Sequence, residues 1–478
     1  MNQLAKKQGT AMGGFSVKEL AQVLGANTAA VQDFFDSVST DSRNIKQGQC
    51  FFAIKGQNFD GHDYVADALK KGAVCAVVEK NYNCSCELEP RLIRVQDTTE
   101  SLGLFAAHHR KKCGFKVVAI TGSVGKTTTR RIIAHVLGQH FRVITSPKNF
   151  NNHIGLPLTL LSAKPEDEIV IAELGTNHPG EIAYLSRIAQ PDIAMVTAIA
   201  PAHLEGFGCI EKILIEKLSI TQGLTQNGTL IINGDCKHLA DTCRDKKIPF
   251  ESFGTSPDCD APAANINCGP LSSEFYIDDV RVTVGLCGKG NLENTLAAWA
   301  VCKKFGLSAA AFAKAVKTMP LVSMRSEIKQ FGTLTVIDDC YNANPASMKN
   351  AIDILSKLSE SKNARSVFIC GDMAELGGSS EQLHKELGDY IAKSNIKLIL
   401  TAGPMSHTAA QTAKNNAAYK IEYQKFDNVD FLCDNLHKFV KDYDIVLVKG
   451  SRSAALEKAV EKLRLLFDKS HMAGVKVN

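Results

Sequence analysis

Residues Ala119–Arg130 read AITGSVGKTTTR, and the fold of the chain turns on what this stretch is. Before it, Val117, Val118, Ala119 and Ile120 form a short apolar run; after Thr129, Ile132, Ile133, Val136 and Leu137 recur at helical spacing. Strand, glycine turn and helix in that order are the setting in which a phosphate-binding loop works. Gly122 and Gly125 let the backbone approach an anion, and Ser123, Val124 and Thr128 share the turn whose N–H groups meet it at the helix start. Lys126 is placed to reach the outer phosphates of a nucleotide, and Thr127 to put its hydroxyl on a Mg²⁺ held between them. Only Ser123 and Val124 separate Gly122 from Gly125, where the common loop has four residues. A glycine turn that only caps a helix is the competing reading; Lys-Thr in register behind a buried strand favours nucleotide.

A chain of 478 residues exceeds what one hydrophobic core organises, so two or three domains are expected. Its 45% hydrophobic and 22% charged residues suit a soluble globular enzyme. A net charge of +5 fits an anionic small substrate, and with no dense Lys/Arg tract nothing calls for nucleic acid. The 15 cysteines contain no C-x₂-C pair, which argues against a zinc ribbon and for reduced thiols in a cytoplasmic protein. The opening residues, expected as a loose tail before Phe15, lack the apolar core of a secretory signal, and no apolar run is long enough to span a membrane.

Upstream of the loop, a helix from Val17 to Leu24, a strand at Cys50–Ile54, a helix from Val65 to Lys71 and an apolar run at Ala73–Val78 predict a small α/β unit ending near Lys112. Its Ser42-Arg43 and the turn Gly56–Gly61 read either as an anion pocket or as ordinary turn chemistry. Downstream, strands are predicted at Val117–Ile120, Arg142–Thr145, Ile169–Glu173, Ile193–Ile199 and Thr229–Ile232, alternating with helices as in a parallel sheet. Such sheets bind ligands beyond the carboxyl ends of their strands. Glu173 ends one of those strands, where it can orient Mg²⁺ or simply sit as a solvated or capping acid. His203 follows another. On the helix after His203, Ile210, Ile213, Leu214, Leu218 and Thr221 form an apolar stripe with Glu211, Lys212 and Glu216 elsewhere; Lys217 falls inside the stripe, where it either snorkels to the surface or serves a site.

Asp258–Ser273 reads as an irregular connection at the sheet rim. A helix is expected from Thr295 to Phe305, with Asn291 and Asn294 at its start as caps or as contacts to a base edge. Met319–Arg325 reads as a linker into a second parallel sheet with strands at Thr333–Ile337, Ser366–Cys370, Lys397–Thr401 and Asp444–Val448. The strand ends there carry Asp339, Asp372, Glu375, Lys449 and Arg452, an acidic and polar edge with a basic corner that should face the nucleotide loop across a cleft.

Taken together, Thr121–Thr128, Glu173, His203, Lys217, Asn291-x-x-Asn294, Arg325 and Asp339 resemble the set shared by the Mur ligases and folylpolyglutamate synthetases. Longer strings, including Asn149–Asn152, Glu173–Ile182, Ala202–Gly208, Tyr341–Pro345, Gly371–Gly377 and Lys449–Ser453, are similar to the Mur ligases that add D-alanyl-D-alanine to a UDP-N-acetylmuramoyl-tripeptide. The resemblance implies three α/β domains: a small UDP-sugar-binding domain (1–112), a central P-loop ATPase-like parallel sheet (113–322), and a C-terminal Rossmann-like parallel sheet (323–478) that binds the dipeptide. It implies an ATP-dependent amide ligase, expected as a monomer, with Mg²⁺ at two sites. Lys126, Glu173, His203 and Lys217 would carry the chemistry. Thr127 and Glu173 would hold one Mg²⁺; His203 and Lys217, carbamylated by CO₂, would hold the second. Arg325 and Asp339 would contact the γ-phosphate and ribose. Ser42 and Arg43 would contact the UDP-sugar, and Asn149, Asn152, Asn177 and His178 the peptide. Asp372 and Glu375 would face the dipeptide ammonium, Lys449 or Arg452 its carboxylate. Val124, Gly290 and Cys340 depart from the family pattern, where Asn, His and Ser are common. Another amide ligase of the family, acting on a muramoyl-dipeptide or a folate, and a nucleotide-gated binding protein are the other readings.

Overall fold

The computed structural model describes residues 14–27, 33–56, 58–147 and 149–468. The tail expected before Phe15 falls outside these residues except for Gly14, as does Gln57 in the predicted turn. The chain is α/β throughout. Near the N-terminus a four-stranded parallel sheet runs Ser37–Ser39, Gln49–Phe52, Cys75–Glu79, Leu92–Val95 in spatial order. The 16-residue helix Thr98–Cys113 leaves this sheet, capped at its start by the Asp97 carboxylate and stopped by Gly114 in the left-handed region.

At the centre lies a seven-stranded parallel sheet. Its spatial order is Ala261–Pro262, Glu251–Gly254, Thr229–Asn233, Ile193–Val196, Lys116–Thr121, Ile169–Glu173, Val143–Thr145. Lys116–Thr121 sits in the middle because Val117, Val118, Ala119 and Ile120 are apolar on both faces and can be covered by helices on both. Two core clusters form accordingly, Val117 and Ala119 in one and Val118 and Ile120 in the other. The strand order reverses direction beside Lys116–Thr121, which opens a crevice at its carboxyl end. The Asp258–Ser273 region is more regular than its composition suggested. Ala261–Pro262 extends the central sheet, and Ala264–Cys268 pairs with Ser273–Ile277 and Val280–Val284 in a three-stranded antiparallel sheet. Phe275, Val282 and Val284 bury that small sheet against the central core, a tertiary contact that overrides the polar sequence.

The last sheet has six strands in the order Glu327–Phe331, Leu334–Asp338, Ile445–Lys449, Ser366–Gly371, Leu398–Ala402, Glu422–Phe426. All pairings are parallel but the first, where Glu327–Phe331 turns back as a hairpin on its neighbour. Its polar face hid that strand from a search for apolar runs. Among the described residues no helix is long and apolar enough to cross a membrane.

Candidate active site

One cleft of about 1280 Å³ runs between the carboxyl ends of the central and C-terminal sheets, reaching Asp97 and Glu100 of the N-terminal unit. The loop after Lys116–Thr121 forms its floor. Gly122 and Gly125 stand at φ +144° and +89°, and the helix Lys126–Leu137 starts on Gly125. The loop is held from behind: the Ser123 N–H donates to the Ala198 carbonyl (2.8 Å), the Ser123 hydroxyl to Ala200 (2.9 Å), and the Thr197 hydroxyl to Val124 (2.5 Å). Ser123 therefore braces the loop with the groups expected to meet phosphate. Gly125 is tied to shape rather than chemistry, since a Cβ there would lie 2.2 Å from Asn294 Oδ1. Gly125→Ala combines that clash with a left-handed backbone cost of ~1–2 kcal/mol. We expect ATP affinity, measured by calorimetric titration, to fall roughly tenfold or more.

Lys126 folds back so that its Nζ donates to the Gly122 carbonyl at 2.5 Å. Burial brings its ammonium down to about 8, opposed by the Glu173 carboxylate and assisted by Arg325. The cation is the form that meets phosphate, so nucleotide affinity should drop as pH rises above about 8, with proton uptake on binding. Titrations at pH 7 and pH 9 in buffers of different ionisation enthalpy check this. Thr127 Oγ1 donates to Glu173 Oε2 at 3.2 Å, and Arg325 donates to Thr127 Oγ1 at 3.3 Å from the far wall. Glu173 is not a solvated acid: it is buried and its Oε1 lies 2.7 Å from Arg130 Nε. Arg130 escaped the motif search, although Arg130, Ile133 and Leu137 share one stripe of the loop helix.

Lys217 does not snorkel. It is 1% exposed, and its Nζ has no hydrogen-bond partner among the described residues. Burial pushes its ammonium well below the ordinary lysine value, and Lys126 adds to the effect while Glu216 and Glu181 oppose it. It sits behind the cleft wall rather than in it. Glu216, expected off the buried face, is buried too. Its carboxylate accepts the N–H groups of Gly180 and Ile182, both at 2.8 Å, and so fixes the loop that follows Glu173. Helical periodicity could not find it, because its partners lie on another element.

Asn291 and Asn294 do not cap their helix, which begins earlier, at Lys289, on Gly288. Asn291 Nδ2 donates to the Cys287 carbonyl at the start of its own helix (2.8 Å), Asn294 Oδ1 accepts from Thr129 of the loop helix (3.3 Å), and both line the cleft. The space left by Gly290 is met by Asn350, whose Oδ1 accepts the Gly290 N–H at 3.0 Å. Cys340 donates to Asp338 at 2.9 Å and does not line the cleft.

Across the cleft, Arg325 lies over the Tyr341 ring, 4.4 Å from its centroid, between Met324 and Ser326 in the left-handed region. Asp339 lines the cleft and pairs with the buried Lys449 Nζ at 2.7 Å. Burial raises the Asp339 carboxyl and Lys449 opposes it. Lys449, which also lines the cleft, donates to the Asn342 carbonyl at 2.9 Å and so holds the Asp339–Asn342 loop. Arg452, exposed and on the cleft wall, pairs with Glu457 at 3.2 Å. The Asp372 carboxylate accepts the Ser406 N–H at 2.7 Å and does not line the cleft, and the Glu375 carboxylate lies on His203. The expected pair of acids for the dipeptide ammonium is thus already engaged. Asn149, Asn152 and Asn177 line the cleft; His178 does not, and Asn152 Oδ1 also accepts the Gly155 N–H at 2.8 Å. Ser42 and Arg43 lie on an exposed turn outside the cleft, where Arg43 pairs with Asp41 at 2.8 Å, the turn chemistry weighed against an anion pocket. Asp97, Thr99, Glu100 and Tyr184 also line the cleft, and no motif in the sequence points to them.

Three family profiles match the chain: the Mur ligase family catalytic domain at residues 35–110, the Mur ligase middle domain at 120–302, and the Mur ligase glutamate ligase domain at 324–452. The UDP-N-acetylmuramoyl-tripeptide–D-alanyl-D-alanine ligase of Bacillus subtilis (strain 168) is 34% identical over 461 residues, 94% of this chain and 98% of that one. A MurF structure from Acinetobacter baumannii superposes with TM-score 0.85 at 28% identity, covering 95% of this chain and 99% of that one. MurF from Thermotoga maritima in complex with ADP gives 0.79 at 27% identity, covering 91% and 98%. With a phosphate loop, a facing arginine and an acid-lined cleft between parallel sheets, the fold and site define an ATP-dependent ligase that forms an amide bond. The chain belongs to the Mur ligase family.

Proposed function

We propose that this chain joins D-alanyl-D-alanine to a UDP-N-acetylmuramoyl-tripeptide, completing the peptide of a peptidoglycan precursor. The observation that carries the reading is the meeting of Lys126, Thr127 and Glu173 of one sheet with Arg325 and Asp339 of the other around a single cleft. The name of the Bacillus subtilis relative states the same reaction. A carboxylate cannot expel oxide, so a terminal carboxylate oxygen of the tripeptide attacks the γ-phosphorus of ATP and ADP leaves. The dipeptide amine then attacks the acyl carbon, phosphate departs, and the amine gives up a proton. Lys126, Arg325 and the loop N–H groups offset the charge gathered when two anions meet. Asp339 would hold the ribose, and Arg452 the dipeptide carboxylate. Asn149, Asn152 and Asn177 would line the peptide, and Ser42 and Arg43 the UDP end. In this reading residues 1–112, 113–322 and 323–478 bind UDP-sugar, ATP and dipeptide respectively. A closed cleft excludes water from a hydrolysable intermediate.

The residues present fit Mg²⁺. Thr127 and Glu173 bring two hard oxygens to the phosphate loop 3.2 Å apart. Among the described residues no group of three His, Cys, Asp or Glu could hold a metal, so a second ion needs an oxygen from elsewhere. Burial favours the neutral amine of Lys217, whose Nζ has no hydrogen-bond partner among the described residues, and a neutral amine can add to CO₂, forming an N–C bond and releasing a proton. The carbamate so formed would supply that oxygen, with the His203 imidazole as a nitrogen donor beside it. Bound Mg²⁺ would neutralise phosphoryl charge and orient the acyl oxygen.

The test is phosphate release from ATP with acceptor and dipeptide, separately and together. Turnover is expected only when both are present, with isotopically marked acceptor oxygen appearing in the phosphate. Equal turnover with a muramoyl-dipeptide or a folate acceptor would move the chain to another branch of the family.

A further inference from the structure

The Gly371–Gly377 loop of the C-terminal unit is docked on the short helix that begins at His203, and the contact is built from several unlike parts. Glu375 Oε2 lies 2.5 Å from His203 Nδ1. The Glu375 carbonyl accepts the Glu205 N–H at 3.1 Å. Leu204 packs against the C-terminal core cluster that holds Met373 and Leu376. Gly377, at φ +54°, allows the close approach, since a Cβ there would lie 3.2 Å from Glu205 Cα. On the two sides of the joint, His203 and Glu375 are non-glycine residues in the left-handed region, at φ 56° and 63°. Such conformations are uncommon and persist where the surroundings over-determine them. Here each is fixed by the other side.

From this geometry we infer that Glu375 is a positioning residue for His203: the docked Gly371–Gly377 loop sets the direction and the tautomer of the imidazole. An ionised carboxylate only accepts, so in the neutral ring a proton shared with Glu375 sits on Nδ1. The Nε2 lone pair is then the free one, and it is fixed in direction by a carboxylate partner on the other nitrogen. The inference rests on the ligase reading for the identity of the reaction, but not for the state of the ring.

Two readouts test it. The first is the imidazole nitrogen NMR spectrum of His203 in the protein without ATP or metal, at a pH where the ring is neutral. Wild type should show a single tautomer with the proton on Nδ1, and Glu375→Ala a mixture of both. The second is the split of kinetic constants. Glu375→Ala should lower kcat about 10- to 100-fold, with KM for D-alanyl-D-alanine little changed, and Glu375→Gln should recover part of kcat because its amide oxygen still accepts from Nδ1. If KM for the dipeptide rises while kcat and the His203 spectrum stay as in wild type, Glu375 is a dipeptide ligand and the inference is overturned. Wild-type protein that releases no phosphate with this acceptor and dipeptide fails the ligase reading instead, and the spectrum still decides the inference.

Discussion

Lys217→Ala is expected to lower kcat about 10²–10³-fold while leaving the protein at least as stable as wild type. The two halves of this result come from one fact, the burial of an amine with no hydrogen-bond partner among the described residues. Burial disfavours the ammonium, so removing the amine relieves a penalty to folding. If Lys217 were only a core residue, alanine would leave a cavity, cost stability and spare turnover. The pH dependence has a definite sign. Its folded-state pKa lies below the unfolded value, so between the two the unfolded chain binds more protons, and wild-type stability rises with pH across that interval. Lys217→Ala should lack that slope in denaturant titrations. Wild-type enzyme stripped of CO₂ should lose activity and regain it with bicarbonate, while the variant responds to neither. Near-normal turnover in Lys217→Ala would remove the carbamate from the mechanism.

The second large effect is on stability. Arg130 and Glu173 are each 4% exposed in their side chains and lie 2.7 Å apart, with Arg130 Nη1 also donating to Thr145 at 3.2 Å. Arg130→Met leaves a carboxylate buried without its cation, a change that costs about 3–5 kcal/mol in such pairs. The denaturation midpoint of the central unit should fall accordingly. Arg130→Met/Glu173→Leu should recover much of the loss, because two apolar side chains leave no charge behind, although activity stays low without Glu173. A loss below about 1 kcal/mol in the single variant would mean that water reaches Glu173 and that the acid is not held for a metal by its arginine.

Much of the architecture was legible because it rests on local rules. Ile169–Glu173 was readable to the residue, since a short β-branched run closed by an acid fits a buried strand that ends at a sheet edge. The loop around Lys126 was readable because glycine spacing, a lysine and a hydroxyl are dictated by phosphate geometry. The strand Glu327–Phe331 was not, since it satisfies only one neighbour and carries the polar side chains of an edge. For Asp372 and Lys449 the place at strand ends was legible but the partners, Ser406 and Asp339, were not, because they come from distant parts of the chain.

The sequence alone determined which chemistry is present: a phosphate loop, an acid at a strand end, a lysine in an apolar stripe, and a second sheet bearing Arg325 and Asp339. Tertiary structure decided which of these groups are free to act. It tied Asp339 to Lys449, Glu173 to Arg130 and His203 to Glu375, and left Lys217 with no partner among the described residues. The reason is physical: a side chain's type is fixed by its own codon, whereas its charge state and availability depend on desolvation and on neighbours that only long-range packing brings within hydrogen-bonding distance.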